Sequence, residues 1–86
     1  MERSHYMLGA RNRNDVPTPQ WLYTALDAIH KFDHDPCPLK PTFDGLTTPW
    51  GKSNFVNPPY DQVQQWLRKA LKEYELGHKS VFLIPF

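Results

Sequence analysis

The chain has one cysteine, Cys37, in 86 residues. An internal disulfide framework is therefore excluded, and a reducing, cytoplasmic setting is expected. Glycine is almost as scarce: Gly9, Gly45, Gly51 and Gly77 are scattered, so there is no glycine-rich loop of the kind that cradles phosphates. No apolar run reaches the length of roughly 20 residues that spans a bilayer. The opening stretch "MERSHYMLGARNRND" lacks the apolar centre of a signal peptide. No membrane partner is expected. Excess charge of either sign is missing too. Ten Lys and Arg against nine Asp and Glu leave a net charge of +1, which gives no strong electrostatic footprint for nucleic acid.

What is present is a core-forming composition, 40% hydrophobic with 14% aromatic. That is too apolar for a disordered chain and sufficient for one small domain. Residues 1–14 are polar, carry Arg3, Arg11 and Arg13 and show no periodicity, so a flexible N-terminal arm is expected ahead of a folded unit over 15–86.

Periodicity places the elements. In "VPTPQWLYTALDAIHKF" a helix is expected over about 19–31, with Thr18 as N-cap, Pro19 in first position and Trp21, Leu22, Ala25, Leu26 and Ile29 as its apolar stripe. "FDHD" (32–35) reads as a short strand stopped by Pro36. Pro36, Pro38, Pro41 and Pro49 then make 36–52 mostly irregular. "SNFVN" is the second strand. Asp61 is placed to cap a helix whose stripe is Val63, Trp66, Leu67, Ala70, Leu71 and Tyr74, and Gly77 is its stop. "SVFLIPF" is nearly all apolar, the mark of a strand buried on both faces. Strand, helix, strand over 53–84 is a βαβ unit with parallel strands and a right-handed crossover. The fold class is α/β, in two or three layers, with about three strands and two main helices. Trp21, Trp66 and Tyr74 are expected in the core, and Trp50 is expected to cover it.

In open parallel sheets, ligands bind beyond the carboxyl ends of the strands. "DPC" (35–37) and "NPPY" (57–60) both fall there, so they should converge on one rim. The consecutive prolines fix two torsions and remove two N–H donors. They also hold Asn57 and Pro58 extended. A metal reading of "DHDPC" finds no support: alternation parts His34 from Asp33 and Asp35, and no second pair of His or Cys follows at ligand spacing. No metal site is expected.

"NPPY" after an apolar strand resembles the catalytic motif of S-adenosylmethionine-dependent amino methyltransferases. Three blocks in order, "TPQWLYTALDAIHKFDHDPCPL", "DGLTTPWGKSNFVNPPYDQVQQWLRKA" and "VFLIPF", resemble the phage-type DNA N6-adenine methyltransferase family over roughly 15–86. The resemblance implies a Rossmann-like methyltransferase core, S-adenosylmethionine as cofactor and adenine-containing DNA as partner. It also implies roles for residues. An exocyclic aromatic amine is a poor nucleophile because its lone pair is delocalised. Acceptors on both of its N–H bonds favour a pyramidal nitrogen, and Asn57 can offer a side-chain oxygen and Pro58 a main-chain carbonyl that Pro59 locks in place. Tyr60 offers a face on which an extruded base can stack. Thr18 and Pro19 match a segment that meets the methionine end of the cofactor. Asp35 matches an acid for its ammonium or hydroxyls, and Asp44 an acid for its adenine or ribose.

The chain departs from the wider class in two respects. Pro36, Cys37 and Pro38 stand where many methyltransferases carry cofactor-binding glycines. Sheets of this class normally have about seven strands, so this unit is a partial domain by resemblance, with further strands expected after Phe86 or a second copy of the chain completing the sheet. Two alternatives follow: methyl transfer to a protein glutamine amide, or a non-catalytic binding or assembly module that keeps the family's core.

Overall fold

The computed structural model describes residues 17–84. The expected arm over 1–14 lies outside the described residues, as do Pro85 and Phe86. The elements are α1 (Gln20–His30), β1 (Ser53–Val56), α2 (Val63–Glu75) and β2 (Lys79–Phe82), with a 3-10 turn (Tyr60–Gln62) leading into α2. Strands β1 and β2 pair in parallel, Ser53 opposite Lys79 through Val56 opposite Phe82. This is the expected βαβ unit in a small α/β fold. The expected strand over 32–35 contracts to one parallel bridge, His34 to Asn54, so among the described residues the sheet has two strands rather than three. Pro36, which has no N–H, prevents that edge from extending. Among the described residues no helix is long and apolar enough to cross a membrane.

Alternation along β1 assigns the layers. Phe55 meets Tyr23 of α1 edge-on at 5.1 Å and Phe32 at 5.3 Å. Val56 points the other way, into a cluster with Trp50 and Trp66 of α2, against which Phe82, Ala70, Leu46 and Cys37 pack. The two helices therefore lie on opposite faces of the sheet, in three layers. Trp50 and Trp66 stack with centroids 6.2 Å apart, and Trp50 Nε1 donates to the Gly45 carbonyl at 2.8 Å. Gly45 is needed there: a Cβ would overlap the carbonyl oxygen of Pro36. Lys69 sits 5.8 Å over the Trp50 ring.

Several expectations are corrected. It is β1, not β2, that is buried on both faces, because Tyr23 and Phe32 cover one side and the Trp50–Trp66 cluster the other; β2 runs from exposed Lys79 to half-buried Phe82. Trp66 and Trp50 are in the core, but Trp21 and Tyr74 are 71% and 70% exposed. Each helix turns so that only half of its apolar stripe meets the sheet. Two strands about 4.8 Å apart are too narrow to cover the whole stripe of a helix about 10 Å wide. On α2 the turn also carries Glu73 inside. It accepts from Lys69 Nζ at 2.8 Å and from the Trp50 N–H at 3.3 Å, and His78 Nδ1 lies 2.7 Å away.

Helix ends differ as well. The cap of α1 is Pro19, whose carbonyl takes the Leu22 and Tyr23 N–H groups, and no side chain caps it. Asp61 lies inside the 3-10 turn, and Gln62 stands at the α2 cap without a side-chain bond. Gly77 does end α2 as expected. At φ +90° it closes a paired motif in which Gly77 N–H donates to Tyr74 and His78 N–H to Glu73.

Candidate functional site

The rim is built where β1 ends. Leu83 N–H donates to the Val56 carbonyl at 2.9 Å, so pairing with the segment after β2 runs up to Asn57. Pro58 is fully buried, which anchors the following turn from below. Pro59 is extended, φ −58° and ψ 142°, and its carbonyl takes the Gln62 N–H at 3.0 Å. Tyr60 opens the turn, half-buried, on the rim of a separate groove.

Thr18 does not cap α1 because its hydroxyl is used elsewhere. Asn57 Nδ2 donates to Thr18 Oγ1 at 2.8 Å. That bond spans 39 positions of the chain and ties the segment before α1 to the end of β1. Thr18, Asp35 and Asn57, three of the expected site residues, line one cavity of about 210 Å3 together with Tyr23, Cys37 and Phe55.

Asp35 is exposed as a residue, but its carboxyl faces this wall. Oδ1 accepts the Cys37 N–H at 3.1 Å, forming the turn that carries Pro36 under the sheet. Desolvation raises the carboxyl's pKa above the ordinary value, against the opposing pull of that N–H and of His34. Tyr23 is also raised, by desolvation first and then by Asp27 and Asp35. A carboxylate held up by desolvation gains from an added cation, since opposite charge restores what water no longer supplies.

Asp44 stands apart from this group. Its Oδ1 accepts the Leu46 N–H at 3.0 Å, and its carbonyl takes the Thr47 and Thr48 N–H groups and hydroxyls. It lines a second cavity of about 310 Å3 with Pro59, Gln62 and Trp66. The two cavities share Cys37 and Leu39, and just after β1 Asn57 lines one and Pro59 the other. Pro19 lines neither and serves α1.

Several residues that hold this rim are not among the expected site residues. Asn54 is completely buried, bonding Gly51 through both amide atoms and donating to the Lys79 carbonyl at 3.0 Å. Asp33 accepts from the Ser53 and Lys52 N–H groups at 3.0 and 3.3 Å, and the Ser53 bond foremost holds its pKa below the usual range despite desolvation. Tyr23 lay off the expected stripe. Its spacing from Leu26 and His30 is the signal that could have found it, because all three share a face. Among the described residues no three His, Cys, Asp or Glu cluster as metal ligands do. In comparisons with protein-family models, curated proteins and solved structures, the chain matches none.

Proposed function

We propose that this chain is the core of an S-adenosylmethionine-dependent methyltransferase acting on the exocyclic N6 of adenine in DNA. The observation that carries the reading is the meeting of Thr18, Asp35 and Asn57 in one cavity at the carboxyl end of a parallel strand. The donor set fits the cofactor: a desolvated carboxylate suits its cationic methionyl end, and the adjoining cavity with Asp44 suits its adenosine.

When bound, the cofactor supplies an electrophilic methyl group. The chain's own residues prepare the acceptor. Asn57 is fixed through Nδ2, and its Oδ1, with two lone pairs, accepts one N6 hydrogen. The Pro58 carbonyl, held by Pro59, accepts the other. Both bonds draw the nitrogen lone pair out of the ring and toward the methyl. The proton leaves after the nitrogen has been alkylated, so no charged base is required. Tyr60 stacks on the extruded base, as chemistry on a base in duplex DNA demands.

A second reading is favoured by one observation. Trp21 and Ile29 are each 71% exposed on α1, and Leu71 and Tyr74 are 61% and 70% exposed on α2. Such faces suit an assembly module in which a second copy extends the sheet along β2. Titration with S-adenosylhomocysteine, alongside the mass in solution, separates the two. Cofactor binding supports the enzyme; tight self-association without it selects the module.

A further inference from the structure

Apart from Tyr60, the residues that line the groove beside α2 take no part in the contacts proposed above. It has a volume of about 300 Å3 and follows the first turns of α2 from Tyr60 to Arg68. Gln64, Gln65 and Arg68 are exposed there. Helical residues three and four apart share a face, so both amides and the guanidinium gather along one side. Gln62 is committed elsewhere, accepting from Trp66 Nε1 at 3.3 Å. Among the described residues the ion pairs of α2 converge on Glu73, from Lys69 and His78, and Arg68 joins none.

The groove is also graded in charge. Asp61 lines its Tyr60 end, while Arg68 lies about 7.5 Å further along the helix from Val63 at 1.5 Å per residue. A phosphate is repelled at the first end and attracted at the second. A neutral base is indifferent to this gradient, and Tyr60 gives it a stacking face. The polarity thus sets a direction for a strand that has its base at Tyr60.

Building on the proposed DNA acceptor, we infer that this groove holds the phosphodiester backbone of the strand carrying the target adenine. Arg68 contacts a phosphate, and Gln64 and Gln65 donate to adjoining phosphate or sugar oxygens. Contacts of this kind fix register and orientation without reading sequence. They would also give a chain of net charge +1 a local means of holding DNA.

The test is fluorescence anisotropy of a single-stranded, adenine-containing DNA oligonucleotide against salt, using the full chain and the variants Arg68→Gln and Tyr60→Ala. Circular dichroism confirms that each variant is folded. Arg68→Gln should weaken binding and reduce the slope of log K against log salt by about 0.7, the value for one phosphate contact on a single strand. Tyr60→Ala should weaken binding by about 5- to 150-fold, the loss of one stacking platform, with the slope unchanged. Binding by Arg68→Gln with wild-type affinity and slope would overturn this inference alone and leave the methyltransferase reading standing. No oligonucleotide binding by the folded wild-type chain would overturn both.

Discussion

Asn57 Nδ2 donates to Thr18 Oγ1 at 2.8 Å, joining a residue just before α1 to the residue just after β1. Neither partner is part of a helix or strand, so the bond does not serve secondary structure. Its consequence is to fix one edge of the Asn57 amide and so the direction of the other. The amide oxygen then has a set position, which the proposed methyl transfer would use to hold an amine.

Removing that oxygen should stop the chemistry without unfolding the chain. Asn57→Ala is expected to lower methyl transfer to adenine DNA by about 100-fold or more, the scale of losing one preorganised polar group in a transition state. Its thermal midpoint should stay close to wild type, since Asn57 is half-buried and outside the core. Thr18→Val should act in the same direction but more weakly, because it removes only the group that orients the amide. Single-turnover methylation assays on both variants measure the ranking.

Asp35 should behave as a residue kept for binding at some cost in stability. Its folded pKa is raised, so the native state favours the protonated carboxyl, and ionisation as pH rises through that value subtracts from stability. Asp35→Asn, which can still accept the Cys37 N–H, should be as stable as wild type or more so at pH 7, while losing affinity for S-adenosylhomocysteine. Wild-type affinity should also decline as pH falls through the Asp35 value, because the cation loses its partner. Denaturant titration and calorimetry at several pH values test the two halves separately.

Glu73 should show the opposite sign. Burial alone would raise its pKa, but hydrogen bonds from Lys69 and His78, the Lys69 charge and the Trp50 N–H hold it below the usual carboxylate range. Its contribution is therefore complete above the unfolded value and is lost as pH falls through the folded one. Glu73→Gln should destabilise the chain at pH 7 by about 1–3 kcal/mol. The gap between variant and wild type should narrow as pH falls below the ordinary carboxylate range, as chemical denaturation at pH 7 and in acid would reveal.

Gly45 should not tolerate a side chain. A Cβ there would strike the Pro36 carbonyl and approach the Trp66 ring at 2.8 Å. Gly45→Ala is expected to cost about 1–3 kcal/mol through overpacking. Gly51 is also closely surrounded, by Asp33 Oδ1 and the His34 Cβ, and Asp33 is held by the Ser53 and Lys52 N–H groups, so Gly51→Ala should be destabilising too. Equal melting temperatures for Gly45→Ala and wild type would contradict this packing.

Much of the frame was legible in the sequence because it depends on local signals. Helical spacing located α1 and α2 to within about a turn, Gly77 marked the end of α2, and the apolar runs marked β1 and β2. The convergence of "DPC" and "NPPY" followed from parallel topology, and Asp35 and Asn57 do line one cavity. What could not be read depended on partners distant in sequence. The Thr18 hydroxyl could equally serve a cap or Asn57, and only the packed chain decides between them. The stripe residues Trp21 and Tyr74 look like core until the width of the sheet is known. Asn54 and Glu73 are polar residues buried by bonds to Gly51, Lys79, Trp50, Lys69 and His78. No periodicity announces such residues, since the bonds that permit their burial come from other elements.

If Thr18, Asp35 and Asn57 form one end of the proposed cofactor site, calorimetric titration of the chain with S-adenosylhomocysteine at pH 7 reads it out. Saturable one-to-one binding in the micromolar range, lost in Asp35→Asn, is the expected result. A chain that is folded by circular dichroism yet releases no heat of binding, or an Asp35→Asn variant that binds as tightly as wild type, would contradict it.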